Sequence, residues 1–296
     1  MLRSLFIFLS QQPTLRRWIE NSSVARPLTG RFIAGNTLED ALLVCAKRNK
    51  EGYLTTLDYL GESVTEVAAA NASRDHYLAA LGQIHDRSLQ SSISVKLTQL
   101  GLDIDPHFCL NNARQIVSLA ASLRLHVEFD MESSAYVDRT LSIVETLHSE
   151  FGCVRVALQA YLFRTEADLR RLNQLRMPIR LCKGAYAEPS AVAFPEKADV
   201  DKNYLQLAHL LLTDGQQPAF ATHDERMIVP ALSHPAGQIE FQLLYGVRRD
   251  LQQRLLAEGH RVRLYIPYGE AWYPYFMRRL AERPANVLFL ARNFFR

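Results

Sequence analysis

Long apolar runs are missing from this sequence. The N-terminal stretch "MLRSLFIFLSQQPTLRRW" offers only Leu5 to Leu9 as an uninterrupted one, too short for a signal-peptide core and far too short to span a bilayer. It reads as a helix packed on the surface, and its flanking arginines leave open a peripheral contact with the inner membrane. Cysteine is scarce: Cys45, Cys109, Cys153 and Cys182 stand far apart, with no CxxC and no His at ligand spacing. That argues against a disulfide framework and a metal site, and for reduced thiols in the cytoplasm. An excess of one charge is also lacking, since the formal net charge is only +3 and the pairs Arg16/Arg17, Arg170/Arg171, Arg248/Arg249 and Arg278/Arg279 lie among acidic neighbours. No basic run tracks a phosphate backbone, so nucleic acid is not an expected partner. GxGxxG after a strand, a nucleophile elbow and a Pro/Gly/Ser linker are absent too.

What is present is an ordinary globular composition, 48% hydrophobic and 22% charged, and a regular alternation. Eight short apolar or β-branched runs are each followed by a segment with helical spacing: "YLTTLDYLG", "SISVKLT", "LHVEFDM", "VRVALQAY", "IRLCKGAY", "PAFATHD", "IEFQLLYG" and "VRLYIPYG". Helical patterns such as "DRTLSIVETLHSEF" and "EADLRRLNQL" lie between them, and "DKNYLQLAHLLLTDG" and "RRDLQQRLLAEG" close on a glycine where a C-cap favours one. Eight strand-helix repeats in roughly 230 residues predict an α/β fold, a (βα)8 barrel. The expectation is one domain over 1–296, with about 1–50 as a helical extension and about 53–292 as the barrel.

Barrels of this kind assemble their sites where strands end, so polar residues closing apolar runs are the informative ones. Asp58, Lys96, Asp130, Gln159, Lys183, His223, Gln242 and Tyr265 stand at or near such ends, with Arg180 inside the fifth strand. Any one of them has a bland reading, since a strand-end Asp or Gln often caps a loop. Together, Lys96, Asp130, Arg180 and Lys183 would converge on one mouth, where charges must pair or hold ligands. Two strand-end lysines keep an imine-forming aldolase open as an alternative, with Lys183 or Lys96 as nucleophile. A non-catalytic barrel is another; it would pair these charges in sets and leave no cationic surplus. The final segment, "WYPYFMRRLAERP" from Trp272, puts Tyr275, Arg278, Arg279 and Glu282 on one helical stripe, with Trp272, Phe276 and Leu280 opposite and suited to packing.

Taken in order, "TLDYLGE", "SVKLTQLG", "FDMESSAY", "LQAYLFRT", "RLCKGAYAEP" with "KADVDKNY", "ATHDERMI", "EFQLLYG" and "LYIPYGEAWYPYFMRRLAE" resemble proline dehydrogenase, the flavin enzyme of proline catabolism, in its short single-function bacterial form. The likeness runs from about Thr56 to Arg292. It implies a distorted (βα)8 barrel with non-covalent FAD at its mouth and the last helix lying over it. It also implies hydride transfer from L-proline to the flavin, giving Δ1-pyrroline-5-carboxylate, with electrons passed on to a membrane quinone. A separate pyrroline-5-carboxylate dehydrogenase would act downstream.

By the same resemblance Arg278 and Arg279 bind the substrate carboxylate, which suits planar guanidinium forks. Lys96 is a third cationic contact, Tyr265 and Tyr275 wall the pyrrolidine ring, and Glu62 pairs with Arg278 as a gate. Asp130 is the active-site acid, expected to orient Lys96, and Arg180 lies near flavin N5. Met131, Gln159, Lys183, Gly184, Ala185, Thr222, His223 and Glu282 complete the FAD contacts. Gly184 makes sense where backbone approaches a ligand. Cys182 departs from the family's usual aliphatic residue but behaves as a small hydrophobe.

Overall fold

A computed structural model describes residues 30–235, 237–273 and 275–277. Eight parallel strands close into a barrel in chain order: β1 (Leu54–Tyr59), β2 (Ser91–Val95), β3 (Val127–Phe129), β4 (Val154–Gln159), β5 (Pro178–Cys182), β6 (Gln216–Ala221), β7 (Glu240–Leu244) and β8 (Arg261–Tyr268). β8 returns to β1 in register, Thr56 opposite Tyr265 and Asp58 opposite Pro267. All eight expected strands are in place, so the (βα)8 reading holds.

Helix α1 (Leu38–Lys50) precedes the barrel and packs on β1 and β8. Thr37 starts it through a capping box with Asp40, each side chain satisfying the other's backbone N–H. The remaining helices follow the strands one by one: α2 (Val67–Asp86), α3 (Pro106–Ser122), α4 (Val137–Phe151), α5 (Thr165–Gln174), α6 (Lys197–Asp214), α7 (Glu225–Leu232) and α8 (Arg249–Ala257). α3 begins with Asp105 accepting from Phe108 N–H and a proline in its first turn, the arrangement helix starts favour. The two glycines expected to close helices behave differently. Gly259, just past α8, takes φ +83°, whereas Gly215 ends α6 in extended backbone. At Gly215 a Cβ would meet the Leu211 carbonyl oxygen at 2.3 Å, so close packing rather than left-handed backbone calls for glycine there.

Alternation along each strand sends Ile93, Val95, Val127, Phe129, Val156, Ile179, Leu181, Phe220, Phe241 and Leu264 into the buried apolar layer shared with the helices. Each such side chain contributes roughly 1.5–3 kcal/mol. A second apolar cluster forms beside the mouth, where Phe32, Ile33, Leu60 and Val247 meet Trp272, Tyr273, Tyr275, Phe276 and Met277. Trp272 and Phe276 pack as expected, and Tyr275, expected on the polar stripe, is buried with them. Arg278, Arg279, Leu280 and Glu282 lie outside the described residues, as does the N-terminal stretch 1–29. Among the described residues no helix is long and apolar enough to cross a membrane.

Candidate active site

The inside of the barrel is ionic where most such barrels carry branched aliphatics. Its lower layer joins Glu128, Glu240, Arg155, Arg263 and Gln242. Arg155 Nη1 donates to Glu128 at 3.1 Å and to Glu240 at 2.9 Å. Arg263 makes a two-pronged contact with Glu240 at 2.7 and 3.1 Å, and its Nη1 donates to the Thr55 carbonyl and to Ser92 Oγ. Gln242 Nε2 bridges the two carboxylates at 2.9 Å each. Gln242 and Tyr265, expected near strand ends, lie inside β7 and β8, which is why one belongs to this layer and the other reaches the layer above.

The upper layer opens to the mouth and centres on Asp130, one residue past β3. Its Oδ1 accepts from Ser94 Oγ at 2.6 Å and from Arg180 Nη2, and its Oδ2 accepts from Tyr265 OH at 2.6 Å. Lys96, one residue past β2, lies 3.2 Å from Asp130 and donates to Asp58 at 2.8 Å. Arg180 spans both layers: its Nη1 donates to Glu128 at 2.9 Å and to Gln242 at 3.3 Å, and its guanidinium stands 5.7 Å from the Tyr265 ring.

Burial alone would raise the Asp130 pKa, but Lys96 and Arg180, with hydrogen bonds from Ser94 and Tyr265, outweigh it and hold this carboxyl well below the usual range. Burial would likewise discharge Lys96, yet Asp58, Tyr265 and Asp130 raise its pKa well above the ordinary value and keep it an ammonium. The interior is balanced: Asp58, Glu128, Asp130 and Glu240 face Lys96, Arg155, Arg180 and Arg263.

Other sequence-predicted residues ring the β4 to β6 side. Gln159 ends β4 and donates from Nε2 to the Glu132 carbonyl at 2.9 Å, close behind the buried Met131. Lys183 Nζ donates to Asp201 at 2.5 Å and to Asp224 at 2.9 Å, and Lys197 and Arg226 join the same two carboxylates. Thr222 Oγ1 accepts from Asp224 N–H at 3.2 Å, and His223 Nε2 accepts from Leu244 N–H at 3.0 Å, which places the proton of the neutral ring on Nδ1. Ala185 is exposed beside them. Gly184 has φ +114°, and a Cβ there would strike the Tyr161 ring at 2.3 Å. Its backbone conformation and the Tyr161 ring by themselves require glycine there. Glu62 sits in the turn between β1 and α2, near enough to Glu132 to oppose ionisation of that carboxyl.

Sequence reading named Asp58 without a role and passed over Glu128, Glu240, Arg155 and Arg263. The signal for them was present: Glu128 stands two residues before Asp130, Arg155 four before Gln159, and Arg263 two before Tyr265, all at the even spacing that keeps residues on one strand face. Asp201 and Asp224 had no such signal, since they reach Lys183 from the second turn of α6 and the N-cap of α7. Lys96 and Lys183 each lie between two carboxylates, the opposite of the apolar pocket an imine-forming lysine requires.

The fold and the mouth define a parallel α/β barrel with a charge-lined site at its C-terminal face. The sequence model described as proline dehydrogenase matches residues 41–292, and the chain belongs to that family. It is 40% identical to Proline dehydrogenase 1 of Bacillus subtilis, with 99% of each chain covered. It is 41% identical to Proline dehydrogenase of Deinococcus radiodurans over 90% of this chain and 89% of that one. Among solved structures, proline utilization A from Bdellovibrio bacteriovorus, inactivated by N-propargylglycine, superimposes with a TM-score of 0.81 at 23% identity, over 95% of this chain and 36% of that one. This chain therefore spans about a third of that larger protein, and the likeness is one of fold.

Proposed function

We propose that the chain is a proline dehydrogenase that binds FAD non-covalently at the barrel mouth, oxidises L-proline to Δ1-pyrroline-5-carboxylate and delivers the electrons to a membrane quinone. The observation that carries the reading is the family match across residues 41–292, whose barrel strands and their ends bring Lys96, Asp130, Arg180 and Tyr265 into one bonded group.

The residues present fit FAD by their donor chemistry. Around Lys183, three cations (Lys183, Lys197, Arg226) share two carboxylates (Asp201, Asp224), which leaves a net positive charge suited to a diphosphate. The amide of Gln159, the Thr222 hydroxyl, the Nδ1–H of His223 and the Arg180 guanidinium are the kinds of group that hold a polar-edged ring and its ribityl chain, with Met131, Gly184 and Ala185 beside them; Glu282 is a further contact by the resemblance alone. When bound, FAD supplies the hydride acceptor. The chain's own work is positioning and charge. Because the interior cations are already matched by carboxylates, a substrate carboxylate needs positive charge from elsewhere. By the family resemblance Arg278 and Arg279 are the residues to supply it, with Lys96 as the third contact and Tyr265 and Tyr275 as walls. Asp130 is held so firmly ionised that it is a poor proton acceptor. Its part is to fix Lys96 and Arg180 beneath the substrate.

The test is the visible spectrum of the purified protein before and after anaerobic L-proline. The expected result is a yellow protein that proline bleaches and that releases its flavin on denaturation. A colourless protein that neither takes up FAD nor responds to proline would sink this reading.

The gate carries a smaller prediction. A solvent-exposed Glu62–Arg278 pair would be worth only about 0–1 kcal/mol, so its value would lie in closing the site once substrate is bound. Glu62→Ala should raise the KM for proline severalfold with flavin content unchanged, and the losses from Glu62→Ala and Arg278→Ala should be non-additive in the double variant. Simple addition would remove the gate.

A further inference from the structure

Behind the upper layer lies a chain of bonds that none of the roles above uses. Thr98, fully buried in the short helical turn Leu97–Leu100 after β2, faces Glu132, which is 4% exposed. Glu132 Oε1 accepts from Thr98 Oγ1 at 2.5 Å and Oε2 accepts from Thr98 N–H at 3.2 Å. Thr98 in turn holds the turn after β1: its Oγ1 accepts from Ser63 N–H at 3.0 Å and its carbonyl accepts from Val64 N–H at 3.0 Å. Ser63 has φ +57°, a left-handed conformation that costs a non-glycine residue about 1 kcal/mol or more and must be held from outside. Glu62 is the residue just before it. On its other side, Glu132 lends its backbone carbonyl to Gln159.

We propose that Glu132 is a positioning residue of the mouth, setting the Glu62 turn through Thr98 on one side and the Gln159 amide on the other. The proposal rests on the reading of Glu62 and Gln159 given above. Direction is what the carboxylate supplies. An ionised Glu132 can only accept, so the Thr98 hydroxyl proton must point to it, and the hydroxyl oxygen is left to take the Ser63 N–H. A glutamine would offer one acceptor to two donors and turn its NH2 toward the other.

The protein retains this carboxylate at a cost. Burial raises its pKa to about 6 against the opposing bonds from Thr98 and the charge of Lys96, with Glu62 adding to the rise. Cys109 and Tyr136 are the other titratable groups that feel its charge. A folded pKa above the ordinary 4.5 means stability that is fully present below that value and lost as pH rises through about 6. Near neutrality the ionised group therefore works against folding, and a purely structural role would not select it.

Glu132→Gln is accordingly expected to lose little or no thermal stability at pH 7, and its stability should no longer fall between about pH 4.5 and 6. Its Ser63 and Val64 amides should exchange with solvent about tenfold faster than in the wild type, with the Leu60 amide, which donates to the Tyr268 carbonyl of the neighbouring strand β8, unchanged as internal reference. KM for proline should rise about fivefold with kcat within about twofold. Thr98→Val should reproduce the exchange effect and Thr98→Ser, which keeps the hydroxyl, should not. Unchanged exchange at Ser63 and Val64 in Glu132→Gln overturns the proposal, whatever Thr98→Val shows. Exchange needs no substrate, so a wild-type protein inert toward proline would count against the proposed activity while the amide comparison still decided the latch.

Discussion

Asp130→Asn is expected to lower kcat/KM for proline by about a hundredfold to a thousandfold, the equivalent of roughly 3–4 kcal/mol. The amide has the right size but not the charge. It would leave Lys96 to Asp58 alone and Arg180 to Glu128 alone, and would place one uncompensated positive charge in an interior where cations and carboxylates now balance. Tyr265 would lose a charged acceptor at 2.6 Å and with it the anchor of its ring. Steady-state kinetics with proline, together with flavin content, measure this; a variant within a few-fold of wild type would show that Asp130 fixes nothing the reaction needs. The pH signature follows from the depressed pKa. Asp130 contributes stability that is present above its ordinary value of 3.8 and is lost as pH falls through the lower folded value. Acid unfolding of Asp130→Asn should lack that contribution.

Glu128→Ala should be the most damaging change to stability, on the order of 3–5 kcal/mol, or roughly 5–15 °C in melting temperature. Glu128 is completely buried and faces Arg155, Arg180 and Arg263 at once. Removing it strands guanidiniums that have no water to turn to. Changing Glu240→Leu together with Arg263→Met should cost less than the two single changes added, because both members of the two-pronged pair leave together. Thermal and denaturant unfolding monitor both. A loss below about 1 kcal/mol for Glu128→Ala would mean that the interior relaxes or admits water and that the ionic layer is not a framework.

The two changes probe parts of the molecule that were unequally visible in advance. Asp130 closes an apolar run at a strand end, and a barrel gathers strand ends on one face, so its place at the mouth could be read from "HVEFDM". Glu128, two residues earlier on the same strand face, was legible by period but meaningless without partners. Its partners come from β4, β5 and β8, and one of them from as far away as Arg263. Alternation states which face a residue takes. It does not state the stagger of neighbouring strands, on which every cross-barrel distance depends. The β5–β6 pair even shifts its register between Pro178 and Arg180, within two residues of a predicted site residue.

By itself, then, the amino-acid order determined the eight strand-helix units, the polar residues at their ends and the family, because each is encoded in local spacing of a few residues. Only closure of the barrel decided that Lys96 rests between Asp58 and Asp130, that Lys183 is held by Asp201 and Asp224, and that Gly184 is glycine because of Tyr161. Those contacts join residues tens of positions apart. They depend on strand register and on how charges settle when water is excluded, quantities that exist only once the chain has folded.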